Sequence, residues 1–202
     1  MKVKAYIEWL KHNWDHLCLI LAIYAFILLF GFVRSANLIV FLILLNVPIY
    51  FLHQTEEYVF PSGFQKFFNL HIFKSGREDA PMGTNFIFFV NIFATWVILP
   101  LFGLLAFSDP IWGLWIPYFS IFAGLGHVAL GIKSRQKYNP GLVVSLLLNI
   151  PYGIGVVCYF AKIGLLANPW MNVHFLIGLG LNLLLPVVGV ILYKRYQASL
   201  SA

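Results

Sequence analysis

The stretch ANLIVFLILLNVPIYFL, Ala36 to Leu52, runs without a charge into His53-Gln54-Thr55-Glu56-Glu57-Tyr58. The apolar part approaches the ~20 residues that a bilayer-crossing helix needs. The polar part holds a histidine and two adjacent carboxylates, the densest chemistry in a chain with few charges. If one helix carries both parts, His53 lies a turn from Glu56 and from Glu57, because residues three and four apart share a face. The stretch therefore predicts a spanning helix that ends in a reactive cluster at the membrane edge.

Outward from it, the apolar pattern recurs. The 202 residues are 61% hydrophobic and 10% charged, where soluble domains run near ~25% charged. Hydropathy and turn residues predict six spans, at about 17–33, 36–58, 84–107, 111–132, 142–161 and 172–193. The fold class is all-α, an integral membrane bundle forming a single domain over 1–202. A short break at Arg34-Ser35 makes the first two spans a hairpin. Pro61-Ser62-Gly63 ends the second. In Asn139-Pro140, the asparagine is read as the cap of the fifth span, with the proline in its first turn. Met1 to His16 mixes charges with Tyr6, Trp9 and Trp14 and suits an interfacial helix. The polar connection 62–83, with Phe64, Phe67 and Phe68, suits an interfacial half-helix. Cys18 and Cys158 fall near opposite faces, so no disulfide is expected.

Basic residues sort by side. Lys2, Lys4, Lys11, Lys66, Lys74, Arg77, Lys133, Arg135, Lys137, Lys194 and Arg195 share one side, against Arg34 and Lys162 on the other. Such a bias puts both termini in the cytoplasm. The expected location is the plasma membrane of a prokaryote, with the lipid bilayer as partner. Because the basic residues sit in loops rather than in a patch with interleaved aromatics, the pI near 9.4 points to no nucleic acid. No ATP-binding loop, nucleophilic Ser or Cys constellation, or nicotinamide fingerprint is present. The oligomeric state is not legible.

Polar groups inside a bilayer face the bundle or a cavity. Asn46, His53 and Glu57 form one stripe of the second span. Ser120, Gly124, His127 and Gly131 form one of the fourth. The two spans are parallel, so His53 and His127 can meet near the cytoplasmic face, with Asn91 and Asn149 deeper. His53, Glu56, Glu57 and His127 are the candidate metal ligands. Two imidazoles and a carboxylate suit zinc, and also iron or manganese. One of Glu56 and Glu57 would bind the divalent metal while the other acts as general base. Tyr138 is a candidate neighbour of a ligand, and Asn46, Asn91 and Asn149 are candidate pocket residues. His12, Asp15, His16 and His71 read as polar faces of interfacial segments, and His174 lies near the outer face.

These motifs resemble the H-x-x-E-E domain family of membrane proteins. His53-Gln54-Thr55-Glu56-Glu57 matches its namesake motif, His127 its further histidine, and Tyr138-Asn139-Pro140-Gly141 its Y-x-P-G motif. The resemblance implies that these residues are functional and supplies no reaction. There is also a looser similarity of site type to membrane-embedded metal hydrolases. The expected function is a metal-dependent hydrolase acting on a membrane-associated peptide or lipid. The alternatives are a proton- or ion-coupled transporter and a non-catalytic membrane scaffold.

Overall fold

The computed structural model describes residues 3–201. Lys2, one of the basic residues counted above, lies outside them. The described residues are all-helical, with no strand among them. A short amphipathic helix, α1 (Val3–Asn13), precedes six helices long and apolar enough to cross a membrane. These are α2 (Asp15–Ala36), α3 (Leu38–Val59), α5 (Thr84–Leu105), α6 (Pro110–Ser134), α7 (Leu142–Lys162) and α8 (Val173–Leu200). A short helical segment, α4 (residues 64–72), lies between α3 and α5.

The bundle is built around α3 and α6, its most buried helices. Small residues bring the neighbours close. Gly153 of α7 packs on α6, where an added Cβ would lie 2.6 Å from the Pro117 carbonyl oxygen. Gly178 of α8 packs on the backbone of Tyr118 and Phe119. Tyr152 of α7 donates its hydroxyl to the Leu42 carbonyl of α3 at 2.8 Å. The ring of Phe73, in the α4–α5 connection, stacks on Tyr193 near the end of α8 at 5.3 Å. Helix α1 packs on the start of α5. Helix α1, the later part of α8 and the α3–α5 connection therefore share one end of the bundle, called here the basic end.

Several boundaries differ from the sequence reading. The first two spans break at Asn37 rather than Arg34-Ser35. Asn37 is extended, and its side chain accepts from the Val40 N–H, so it caps α3. Regular α-helix in α6 starts at Ile116, not at Ile111. Before it, Asp109 accepts from the Ile111 N–H and caps a single 3₁₀ turn. Helix α8 continues past Tyr193 to Leu200.

The connection 60–83 is a folded strap. Asn69 is its fully buried pin. Its amide donates to the Glu78 and Met82 carbonyls at 2.8 and 3.0 Å and accepts from the Met82 N–H at 2.9 Å.

Gly153→Val is expected to force α7 off α6. Overpacking of this kind costs about 1–3 kcal/mol or more, read as a lowered melting temperature in detergent.

Candidate metal centre

Helix α3 changes pitch where its chemistry begins. Residues Thr55–Val59 form a π-helical turn, with the Phe60 N–H bonded to the Thr55 carbonyl at 2.8 Å. Such wide turns occur often at functional sites. His53 lies just before this turn, and Glu56 and Glu57 lie within it. Neighbouring helical residues point about 100° apart, and here the two carboxylates go to different places.

Glu57 turns to the histidines. Its Oε1 lies 3.6 Å from His53 Nε2 and 3.4 Å from His127 Nε2. The imidazole rings sit edge to face, 4.6 Å between centroids. All three side chains are buried, and one ligand atom from each lies within 4.8 Å of the others, so the group could hold a metal ion.

The hydrogen bonds behind these rings fix their chemistry. Asn139 donates its amide to the His127 carbonyl at 3.0 Å, which leaves Asn139 Oδ1 facing His127 Nδ1 at 2.8 Å. His127 therefore donates from Nδ1, and in the neutral ring Nε2 carries a lone pair. That lone pair faces a carboxylate oxygen. Two acceptors at this separation call for a positive centre between them. Tetrahedral bonds of about 2.0–2.1 Å to nitrogen and oxygen set ligand atoms about 3.3 Å apart, close to the distances found. The donor set fits a divalent cation. On His53, the Asn149 amide nitrogen lies 3.2 Å from Nδ1.

Glu56 corrects the sequence reading. It stands outside the trio. Its Oε1 accepts from the Tyr138 hydroxyl at 3.1 Å and the Val143 N–H at 3.0 Å, and its Oε2 accepts from the Val144 N–H at 2.7 Å. It caps the start of α7, where free N–H groups favour an anion. Burial and the Glu56 charge push the Tyr138 phenol up from its ordinary value, so it stays a donor at neutral pH.

Of the expected pocket residues, Asn149 touches the trio. Asn91 does not. It accepts from Gln54 Nε2 at 2.8 Å and donates to the Tyr58 hydroxyl at 3.2 Å, within a network that Trp96 joins through the other end of Gln54. Asn46 is buried, and its amide has no hydrogen-bond partner among the described residues. His12, His16 and His71 are exposed and His174 lies on α8, all apart from the trio.

Sequence reasoning marked the turn that holds Asn139 through the resemblance but read Asn139 itself as a helix cap and missed its bond to His127. Gly141, not Asn139, occupies the cap position, in the left-handed region at φ 95°. A Cβ on Gly141 would lie 2.5 Å from His127 Cε1 and 2.9 Å from His53 Cε1, so glycine is required both by its backbone and by the two rings. Pairing the Y-x-P-G motif with His127 from the start would have been the available signal.

Fold and site together define a class: an all-helical protein of six membrane-length helices with a buried group of two histidines and one glutamate. The family described as protein of unknown function with HXXEE motif matches residues 44–156, over half of the chain. The chain belongs to that family. No curated protein and no solved structure matches it.

Glu56→Gln removes the charge from three hydrogen bonds and sets an amide against a backbone donor. It is expected to destabilise by about 2 kcal/mol or more, and Tyr138→Phe by about 1 kcal/mol, both read from thermal melts in detergent.

Proposed function

We propose that this protein is a metal-dependent membrane enzyme, a hydrolase, whose metal is held by His53, Glu57 and His127. One observation carries the reading. His127 spends its Nδ1 proton on Asn139, so its Nε2 lone pair and the Glu57 carboxylate oxygen face each other 3.4 Å apart. Zinc fits two imidazoles and a carboxylate best, with iron or manganese as the other candidates. A zinc ion with three protein ligands and an open fourth position supplies a Lewis acid and a water made acidic near neutral pH. The chain's own part is to hold the ligands in register. Asn139 fixes the His127 ring, Asn149 touches His53, and Gly141 gives both rings room. With Glu56 engaged at the start of α7, Glu57 is the carboxylate of the motif left to hold the metal. The substrate class that fits a site among apolar helices is a membrane-associated peptide or lipid. The basic residues favour a cytoplasmic location for the end of the bundle nearest the site.

A proton relay in an ion-coupled carrier is the second reading. It is favoured by the Asn149 amide nitrogen facing His53 Nδ1. That arrangement makes Nδ1 the acceptor and places the ring proton on Nε2, toward Glu57.

Elemental analysis of the detergent-purified protein separates the two. About one zinc per chain, lost in the His53→Ala, His127→Ala double variant, is the expected result. Asn139→Leu is expected to weaken metal affinity by about 10–100-fold, as loss of a ligand's hydrogen-bond partner does. No metal in either protein after incubation with zinc, iron and manganese salts would reject the hydrolase. Proton-driven flux in liposomes would then support the relay.

A further inference from the structure

The trio is buried, so anything that reaches it must pass a barrier. Two hollows border the region. One, about 390 Å³, lies between Leu52, Phe60, Pro61, Val143 and Val144. It is apolar, and its one carboxylate is Glu56, whose two oxygens are already taken. A cation gains nothing there.

The other, about 470 Å³, opens at the basic end. Its walls carry the carboxylates of Asp15, Glu78 and Asp79 together with Lys11 and Lys66. The lysines do not dominate its field, because Lys11 is paired with Glu8 at 2.8 Å and Lys66 with Glu78 at 2.6 Å. Asp79 is paired with Arg77. Asp15 has no ion-pair partner among the described residues. Among the described residues, Asp15 is therefore the one carboxylate of the hollow outside an ion pair.

Phe64 connects this hollow to the trio. Its ring lines the hollow and also lies 5.6 Å from the His127 ring, so one aromatic side chain separates the two. Its other aromatic neighbours are Tyr58 at 6.1 Å and Phe68 at 5.6 Å. Tyr58 is held on two sides, by Trp14 at 5.2 Å and by the Asn91 amide at 3.2 Å. Phe64 also packs against the buried apolar core. It is half-buried and follows two left-handed residues, Ser62 at φ 66° and Gly63 at φ 95°. Behind it the strap is pinned by Asn69 and by Gln65, which donates to the Met82 carbonyl at 2.9 Å. The strap is fixed, and the Phe64 ring stands at its start, at the end of a two-residue bend.

We propose that the hollow lined by Asp15 is the intake site through which a divalent cation reaches His53, Glu57 and His127, and that the Phe64 ring is the valve between them. This rests on the metal reading above. The barrier is the pair of aromatic contacts that Phe64 makes with His127 and Tyr58. Removing it changes how fast the ion moves and not how tightly the three ligands hold it.

The test uses the full chain in detergent, stripped of metal and mixed with cobalt(II) chloride. Cobalt in a four-coordinate site absorbs visible light, so loading and chelator removal are both followed as rates. Phe64→Ala is expected to speed both on the order of tenfold, the effect of losing aromatic pairs, with the final cobalt per chain unchanged. Phe64→Leu keeps an apolar plug, is expected to fall between, and covers the case in which the alanine variant does not fold. Asp15→Asn is expected to slow loading and flatten its salt dependence, with removal unaltered. Wild-type rates in both Phe64 variants would overturn the valve while the wild-type cobalt signal still upheld the metal reading. A loss of final cobalt in Phe64→Leu would also overturn it, by making the ring part of the binding site. No cobalt signal in the wild type would overturn both.

Discussion

A carboxylate inside a bundle of apolar helices is the constraint on which this structure turns. Removing its water costs several kcal/mol unless a positive centre and hydrogen bonds replace the hydration. Two adjacent glutamates on α3 meet that demand in opposite ways. Glu56 is satisfied by the fold, through two backbone N–H groups and a phenol. Glu57 meets only imidazole nitrogens. Neutral imidazole brings no charge, so Glu57 is the group whose stability in the bundle depends on something added between the ligands, a proton or a metal ion.

This division couples fold to site. By capping α7, Glu56 fixes the segment that precedes it, and that segment carries Asn139 and Gly141. Asn139 then reaches back to both the carbonyl and the ring of His127. One carboxylate thus orders the residues that orient the ligand facing the other. The two carboxylates lie in the π-helical turn at Thr55–Val59, and these consecutive side chains serve two helices. Another of the five π-helical turns among the described residues, Ser145–Asn149, ends at the residue that meets His53. Both distortions fall where α3 and α7 exchange polar contacts.

Much of this was legible in the sequence. Hydropathy alone placed six helices, because a spanning segment is marked by composition over its whole length. His53, Glu57 and His127 were legible because their stripes fix which face looks inward. The losses share a cause. Glu56 and Glu57 were left interchangeable as ligand and base because motif spacing holds both a turn from His53, and only the contacts at the start of α7 separate them. Asn139 was read locally, as a cap, because its real partner is twelve residues away on another helix. Gln54 was given no role, yet it joins α3 to Trp96 and Asn91 of α5. Phe64 was read as part of an interfacial half-helix. Its place beside His127 depends on the strap folding back over the bundle, which a buried asparagine arranges and no periodicity reveals.

The two histidines are held unequally, and that bears on what the site does. Asn139 makes two bonds to His127, one of them to a carbonyl that only accepts, so its amide has one orientation and the His127 tautomer is fixed. Asn149 makes one contact, to His53 Nδ1, and its Oδ1 has no hydrogen-bond partner among the described residues. Turned over, the same amide would accept from Nδ1–H and leave the His53 Nε2 lone pair facing Glu57. One orientation suits a proton shared between His53 and Glu57. The other makes His53 a ligand matched to His127. The two readings therefore differ by one amide rotation rather than by a different site. A metal ion that binds both Nε2 atoms supplies the energy to choose between them, so loading the site would itself set the Asn149 amide.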